Sequence, residues 1–291
     1  MFEGTFTALV TPFVQNQLDE AAFARLIEAQ ISAGITGVVP VGTTGESPTL
    51  NNEEHLRVIE LAVQQVAGRC KVIAGTGSNS TVEAIHLTVE AERLGSDAAL
   101  IVAPYYNKPT QAGLIEHFGA IANAVKLPIM LYSIPGRCGI EIGVDTVATL
   151  AQRHSNIVAI KESGGTVERV SQLRAALPSS FEILSGDDSL TLPFMSVGAC
   201  GVVSVASNLV PAEVGTLVKA ALQGDYATAR QQHFHLYPLF KELFVESNPA
   251  PTKYALSVLG RMQPEVRLPL AALADASRAR VETAMRQTGL L

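Results

Sequence analysis

Several features that mark large classes of protein are missing from this chain. No run of lysines and arginines stands out among its 21 basic residues, and the formal net charge is −6. Nucleic acid and anionic membrane surfaces are therefore not expected partners. No stretch approaches the roughly 18 apolar residues of a membrane-spanning helix. The opening MFEGTFTALVTPF has neither a basic segment nor an extended apolar one, so no signal peptide is expected. Cysteine is scarce: Cys70, Cys138 and Cys200 are an odd set, widely spaced, each in an apolar or turn setting. They form no disulfide framework and no zinc spacing, and read as small buried hydrophobes in a cytoplasmic protein. The histidines include no H-E-x-x-H, and His233 and His235 lie two apart on a predicted helix, so they do not share a face. No catalytic metal is expected.

What remains is a chain that is 47% apolar and 16% charged, enough to bury a substantial core. Its organisation is a steady alternation. Eight short β-rich runs occupy Thr5–Phe13, Gly37–Gly42, Lys71–Gly77, Ala98–Tyr106, Pro128–Ile134, Ile157–Ser163, Phe181–Asp188 and Gly201–Ser207. Their apolar stretches are near-continuous rather than alternating, as in parallel strands buried on both faces. Segments of helical period lie between them. Phe23, Leu26, Ile27 and Ile31 share one face of the first, and Leu56, Ile59 and Val63 one face of the second. Ser80 followed by Glu83 predicts a capping box, on a segment that closes at Gly95. The segments after the fifth and seventh runs are weaker. This order predicts a (β/α)8 TIM barrel over residues 1–224, with a doubly wound open sheet as the alternative. Residues 225–291 read as a C-terminal appendix of three helices packed on the barrel.

Barrel enzymes place their active sites at the C-terminal ends of the strands, and here each run turns polar as it finishes. The ends carry Thr11, Thr43–Thr44, Thr76, Tyr105–Tyr106, Tyr132, Lys161–Glu162–Ser163, Ser185 with Asp187–Asp188, and Ser204 with Ser207–Asn208. Lys161 is the most informative. It closes IVAIKES after four apolar residues, and strand alternation puts Ile157, Ala159 and Lys161 on one face. Desolvation disfavours an ammonium, and the neutral amine is the form that attacks a carbonyl to make a Schiff base. A lysine that snorkels to the rim is the plain structural alternative. Tyr132, closing the preceding run, has a phenol suited to proton transfer; its alternative is a core ring with a backbone-bonded hydroxyl. Arg137, after the Pro135–Gly136 turn, could fork onto a carboxylate or simply be solvated. The stretch Gly75–Ser80 has no Walker lysine and no complete G-x-G-x-x-G. The two acids of SGDD would repel phosphate, and capping the next helix is their expected job.

The segments VGTTGES, APYYNKPTQ, LYSIPGR, VAIKES and SGDD, in that order, together with FVESNPAPTKYAL and RLPL, resemble the pyruvate-dependent class I aldolases. The likeness runs from about Gly4 to the C-terminus and is nearest the dihydrodipicolinate synthase family within that group. It implies the following roles. Lys161 forms an imine with pyruvate, Tyr132 moves protons at the reacting centre, and Thr43 links Tyr132 to Tyr106 of a neighbouring subunit. Thr44 holds the pyruvate carboxylate, Val203 and Gly186 line the pyruvate site, and Arg137 at the mouth receives the carboxylate of L-aspartate 4-semialdehyde. The assembly implied is a homotetramer, a dimer of tight dimers. No organic or metal cofactor is implied beyond the covalent imine. The same resemblance points to an inhibitory lysine site at His55, Asn79, Glu83 and Tyr105, where Pro48 stands in place of the usual alanine. Two further positions depart from the usual pattern: Ser133, where asparagine is frequent, and the Ser163-Gly164-Gly165 that follows Lys161–Glu162, where an alanine leads. Other readings are an aldolase of the group acting on a sugar-acid aldehyde, and a barrel that only binds a small acid.

Overall fold

The computed structural model describes residues 1–291. Eight parallel strands close into a barrel in chain order: β1 (Gly4–Ala8), β2 (Gly37–Val39), β3 (Lys71–Gly75), β4 (Ala98–Val102), β5 (Ile129–Ser133), β6 (Ile157–Glu162), β7 (Glu182–Ser185) and β8 (Gly201–Ser204), with β8 pairing back onto β1. The (β/α)8 fold is therefore the one found, and the open sheet is excluded. Outside the strands run α1 (Glu20–Ser32), α2 (Asn52–Val66), α3 (Thr81–Arg93), α4 (Gln111–Ala124), α5 (Val144–Arg153), α6 (Val167–Ala176), α7 (Thr191–Met195) and α8 (Pro211–Leu222). Then come α9 (Tyr226–Glu242), α10 (Ala250–Val258) and α11 (Asp275–Gln287).

The strands are shorter than the apolar runs that announce them, because each run continues into a loop that still packs inward. The first run breaks at Ala8, and Phe13–Val14 instead pairs with Gln17–Leu18 as a small hairpin. Gln15 and Asn16 turn that hairpin in the left-handed region, at φ 50 and 62. The weak helix after the seventh run is the five-residue α7. Glu83 does not complete a capping box. Ser80 caps α3 through the Glu83 amide, but the Glu83 carboxylate accepts from the Ser78 hydroxyl, 2.5 Å away. The complete box lies at Asn51 and Glu54, on α2.

Two apolar layers result. Phe2, Phe6, Ala8, Val39, Ile73, Leu100, Met130, Ala159, Leu184 and Val203 fill the barrel interior. Room for Phe6 comes from Gly37, where a Cβ would stand 2.7 Å from the Phe6 ring. The larger layer lies between the strands and the helices. Ile157 belongs to that outer layer, which corrects the simple alternation expected of β6. A bulge lets Ile129 pair with Ile157 but Met130 with Ala159, so the face reverses after Ile157 while Ala159 and Lys161 still point inward.

The last three helices are bound to the barrel rather than to each other alone. α9 lies along α8, α10 meets the Ala206–Asn208 turn, and α11 packs on α9 and α10. The final segment is helical only from Asp275. Leu270–Ala274 is irregular, with the Ala274 amide donating to Glu246.

Candidate active site

The polar residues at the strand ends divide into two groups. Some are already committed to structure. Thr11 donates to the Gly45 carbonyl at 2.7 Å, Thr76 accepts from Thr88 at 2.8 Å, and Asn208 bridges the Ala8 and Val205 carbonyls. Ser204, Val205 and Ala206 all donate to the buried carboxylate of Asp188. Only Asp187 of the SGDD pair caps the following turn, through the Ser189 amide at 2.8 Å. Asp188 instead pins the loop after β8, and burial pushes its carboxyl up to about 6.

The second group keeps its chemistry free. Lys161 is 6% exposed, Tyr132 5%. They are register partners on β6 and β5, and the Lys161 amine sits over the Tyr132 ring, 4.1 Å from its centroid. No acid pairs with Lys161; the adjoining Glu162 points to the opposite face, where Arg169 Nε holds it at 2.8 Å and the Gly164 amide at 2.5 Å. Arg169 also reaches Glu141 and the Ile142 carbonyl. Burial pushes the Glu162 carboxyl up, against the pull of Arg169. The acid next to the lysine in sequence is thus taken out of its reach.

Gly186 flanks the lysine on the β7 side. A Cβ there would lie 2.8 Å from Lys161 Cε, 3.0 Å from Lys161 Cγ and 2.0 Å from Ser163 Oγ, so any side chain would displace the lysine stem and the Ser163 hydroxyl. Val203 is buried in the interior layer beneath.

The GTTGE loop follows β2. Val41 and Glu46 adopt left-handed backbone, φ 50 and 58, a strained state for a β-branched residue that persists only under tight surroundings. Buried Glu46 ties the loop to the C-terminal extension: its carboxylate takes buried Lys253 Nζ at 2.5 Å and the half-buried Arg267 amide at 3.0 Å. Thr44 accepts from Asn248 Nδ2 at 2.9 Å, while Asn248 Oδ1 accepts from Thr252. With its oxygen occupied, Thr44 has its own proton left to give. Thr43, half-buried, makes no side-chain hydrogen bond, and neither does the Tyr132 hydroxyl.

Arg137 stands exposed on a single helical turn, Pro135–Cys138, where a plain turn was expected; its guanidinium reaches the Asn248 carbonyl at 3.4 Å. Asn248 therefore touches both groups assigned to carboxylates, and no reading of the strand ends singled it out. Its only signal was the FVESNPAPTKYAL segment in the appendix. Tyr106 is not joined to Tyr132 or Thr43 within the chain. It is 89% exposed, at φ 72, on the loop after β4.

Of the lysine-site candidates, His55 is buried, with Nε2 2.8 Å from the Gly75 carbonyl. Burial pushes its imidazole down, against the pull of the nearby Glu83 carboxylate. The Asn79 carbonyl accepts from Asn107, Tyr105 is half-buried and Pro48 is exposed. No group of three or more His, Cys, Asp or Glu side chains is placed to hold a metal ion.

The fold and this site define a class: a (β/α)8 barrel that presents an unpaired, screened amine beside a phenol at its C-terminal mouth, the equipment of lysine-based carbonyl chemistry. Comparison with known proteins makes the assignment specific. The chain belongs to the dihydrodipicolinate synthetase family, whose model matches residues 1–288. It is 50% identical over 290 residues to the 4-hydroxy-tetrahydrodipicolinate synthase of Aquifex aeolicus, covering 100% of this chain and 99% of the relative. Its structure superposes at TM-score 0.99 on the 4-hydroxy-tetrahydrodipicolinate synthase of Methylacidiphilum fumariolicum, 55% identical, covering 100% of this chain and 97% of that one. The dihydrodipicolinate synthase of Acinetobacter baumannii complexed with pyruvate is 41% identical, with TM-score 0.98 and full coverage of both chains.

Proposed function

We propose that the chain condenses pyruvate with L-aspartate 4-semialdehyde to 4-hydroxy-tetrahydrodipicolinate, a lyase-class step of lysine and diaminopimelate biosynthesis. Family membership and relatives at about half identity over the full length support the activity. One observation of the site carries the chemistry: the Lys161 amine is buried, free of any acid and stacked on Tyr132. Such an amine can attack the pyruvate carbonyl without first breaking an ion pair.

In this reading Lys161 Nζ bonds to the keto carbon of pyruvate and the keto oxygen leaves as water. The protonated imine then draws electrons from the methyl group, a proton departs, and the enamine adds to the aldehyde. The amine of the semialdehyde closes the ring and displaces Lys161. Tyr132 handles the protons at each stage. Thr44 donates to the pyruvate carboxylate, beside Gly186 and Val203, and exposed Arg137 receives the carboxylate of the second substrate. No metal or organic cofactor enters this scheme.

Tyr106 completes it from a second subunit. An aromatic side chain held out in solvent on left-handed backbone fits insertion into a neighbour, where it would continue the relay through Thr43. We read the assembly as a dimer of such dimers, working in the cytoplasm; no helix is long and apolar enough to cross a membrane. Residues 1–224 then form the catalytic barrel, and residues 225–291 an extension that braces the GTTGE loop. The cluster of His55, Asn79, Glu83, Tyr105 and Pro48 is the place to look for lysine binding.

The test is reduction with borohydride in the presence of pyruvate, followed by peptide mass analysis and an assay with the semialdehyde. A pyruvate-derived adduct on Lys161 with turnover is expected. No adduct sinks the imine, and an adduct without turnover assigns another aldehyde.

A further inference from the structure

Ser163 is two positions past Lys161 and returns to the same side of the chain. Its hydroxyl is shielded from solvent yet finds no hydrogen-bond partner. Buried polar atoms are rarely left in that state, and those that are call for an explanation. Its surroundings supply one. Ser163 Oγ lies 2.0 Å, and Lys161 Cε 2.8 Å, from the point where a Cβ on Gly186 would stand. The bare face of Gly186 thus lets the hydroxyl close in on the last methylene of the lysine, one bond from Nζ. On its other side the amine faces the Tyr132 ring.

We propose that Ser163 is a positioning residue for the lysine-bound intermediate, an inference that rests on the imine reading above. When Nζ bonds to the keto carbon, the carbon–oxygen bond breaks. The oxygen leaves as water, carrying one amine hydrogen and one added proton. The iminium keeps a single N–H, in the plane of the new double bond. That hydrogen needs an acceptor, and the nitrogen that carries it belongs to a side chain only 6% exposed. Rotation about the Cα–Cβ bond of Ser163 brings its oxygen toward Nζ, and the hydroxyl accepts the N–H. The contact fixes the plane of the iminium, and with it the face from which the methyl proton departs. An alanine here would leave the N–H without this partner.

The experiment compares the full-length protein with Ser163→Ala and Ser163→Thr. Borohydride trapping at graded pyruvate, steady-state rates and thermal melting are measured on all three. Ser163→Ala is expected to melt at or above the wild-type temperature, because it removes an unpartnered hydroxyl. It should lose about tenfold in kcat and in the fraction trapped at a fixed pyruvate concentration, with KM for the semialdehyde unchanged. Ser163→Thr, which keeps the hydroxyl, should recover most of the trapping. Wild-type kcat and trapping in Ser163→Ala would overturn the proposal and leave Ser163 as packing. Failure of the wild type itself to trap pyruvate would instead overturn the imine reading, so the two failures are distinguishable.

Discussion

Lys161 and Lys253 are the two buried lysines of this chain, 6% and 0% exposed, and both sit over an aromatic ring at 4.1 Å. Beyond that their surroundings part. Lys253 is saturated: Glu46 at 2.5 Å, the Glu265 carbonyl at 2.7 Å, and the Phe13 ring that it shares with Arg267. Burial still pushes its ammonium down to about 8, against the pull of Glu46. Lys161 has the ring alone, and the nearest acid in sequence is diverted to Arg169. A paired buried charge ties two segments together, and a buried amine without a counter-charge stays available to react. The same residue type thus serves the fold in one place and, in the mechanism proposed above, the chemistry in the other, and the difference lies in whether an acid is within reach.

The sharpest way to separate the two is to remove each amine. Lys161→Ala should lower kcat by at least about 10⁴-fold and leave the melting temperature near or above that of the wild type, since nothing in the chain is left unpaired. Lys253→Met should do the reverse in kind. It leaves the Glu46 carboxylate buried beside Arg267 with its main counter-charge gone, and a loss of about 3–5 kcal/mol is expected from chemical denaturation. Activity would fall only as far as the GTTGE loop loosens. Intact stability in Lys253→Met would erase the contrast.

A second cycle asks whether that stability belongs to the pair. Glu46→Gln alone should be costly, because it leaves Lys253 charged without its acid. Glu46→Gln combined with Lys253→Met should cost less than the sum of the single changes, with a coupling of about 1–3 kcal/mol by urea denaturation. Strict additivity would mean that each residue acts through other neighbours, such as Arg267 and Phe13.

These two lysines also differ in how visible they were in the sequence. Lys161 could be read because its partners are local: an unbroken apolar run, a strand of known direction and a polar end. The bulge after Ile157 escaped, because one inserted residue leaves no mark on composition, but it fell far enough upstream to leave the inward face of Lys161 correct. Lys253 and Asn248 carried no such signal. Their partners, Glu46 and Thr44, lie 207 and 204 residues away, and only the closed barrel brings them together. The hairpin at Phe13–Leu18 was missed for the opposite reason: strands of two residues are too short to show a period. Tyr106 lies further out of reach, since its ring is exposed and the role proposed for it rests on a second chain.

Within the free group of polar residues, Thr43 and Thr44 offer a finer version of the same contrast. Asn248 donates to Thr44, whereas the Thr43 hydroxyl has no hydrogen-bond partner in the chain, only its carbonyl accepting from the Glu46 amide. Thr43→Val keeps the shape and deletes the hydroxyl. If that hydroxyl passes protons toward Tyr132, kcat should fall about 10- to 100-fold while the pyruvate dependence of borohydride trapping hardly moves. Equal losses in both would show that Thr43, like Thr44, is a binding group.

A third buried base extends the comparison to its weakest case. His117 on α4 accepts or donates at Nδ1 with the Thr81 hydroxyl, 2.8 Å away on α3, and its Nε2 is buried without a partner. No acid compensates it, and burial pushes the imidazole down to about 4. Its answer to burial is to stay neutral. Between pH 6.5 and about 4 the unfolded chain therefore takes up a proton at this position that the folded chain refuses. The unfolded state binds more protons in that window, so the contribution of His117 to stability is full above pH 6.5 and is lost as the pH falls toward 4. Allowing for partial screening by solvent, the loss should be on the order of 1–2 kcal/mol. Urea midpoints for the wild type and His117→Gln, taken at pH 7 and 4.5, isolate it, because carboxylates that titrate in both proteins cancel in the difference. The variant should lose less stability on acidification. An equal loss would mean that the imidazole gains a counter-charge or water on protonation, and that this base, unlike Lys161, is not isolated at all.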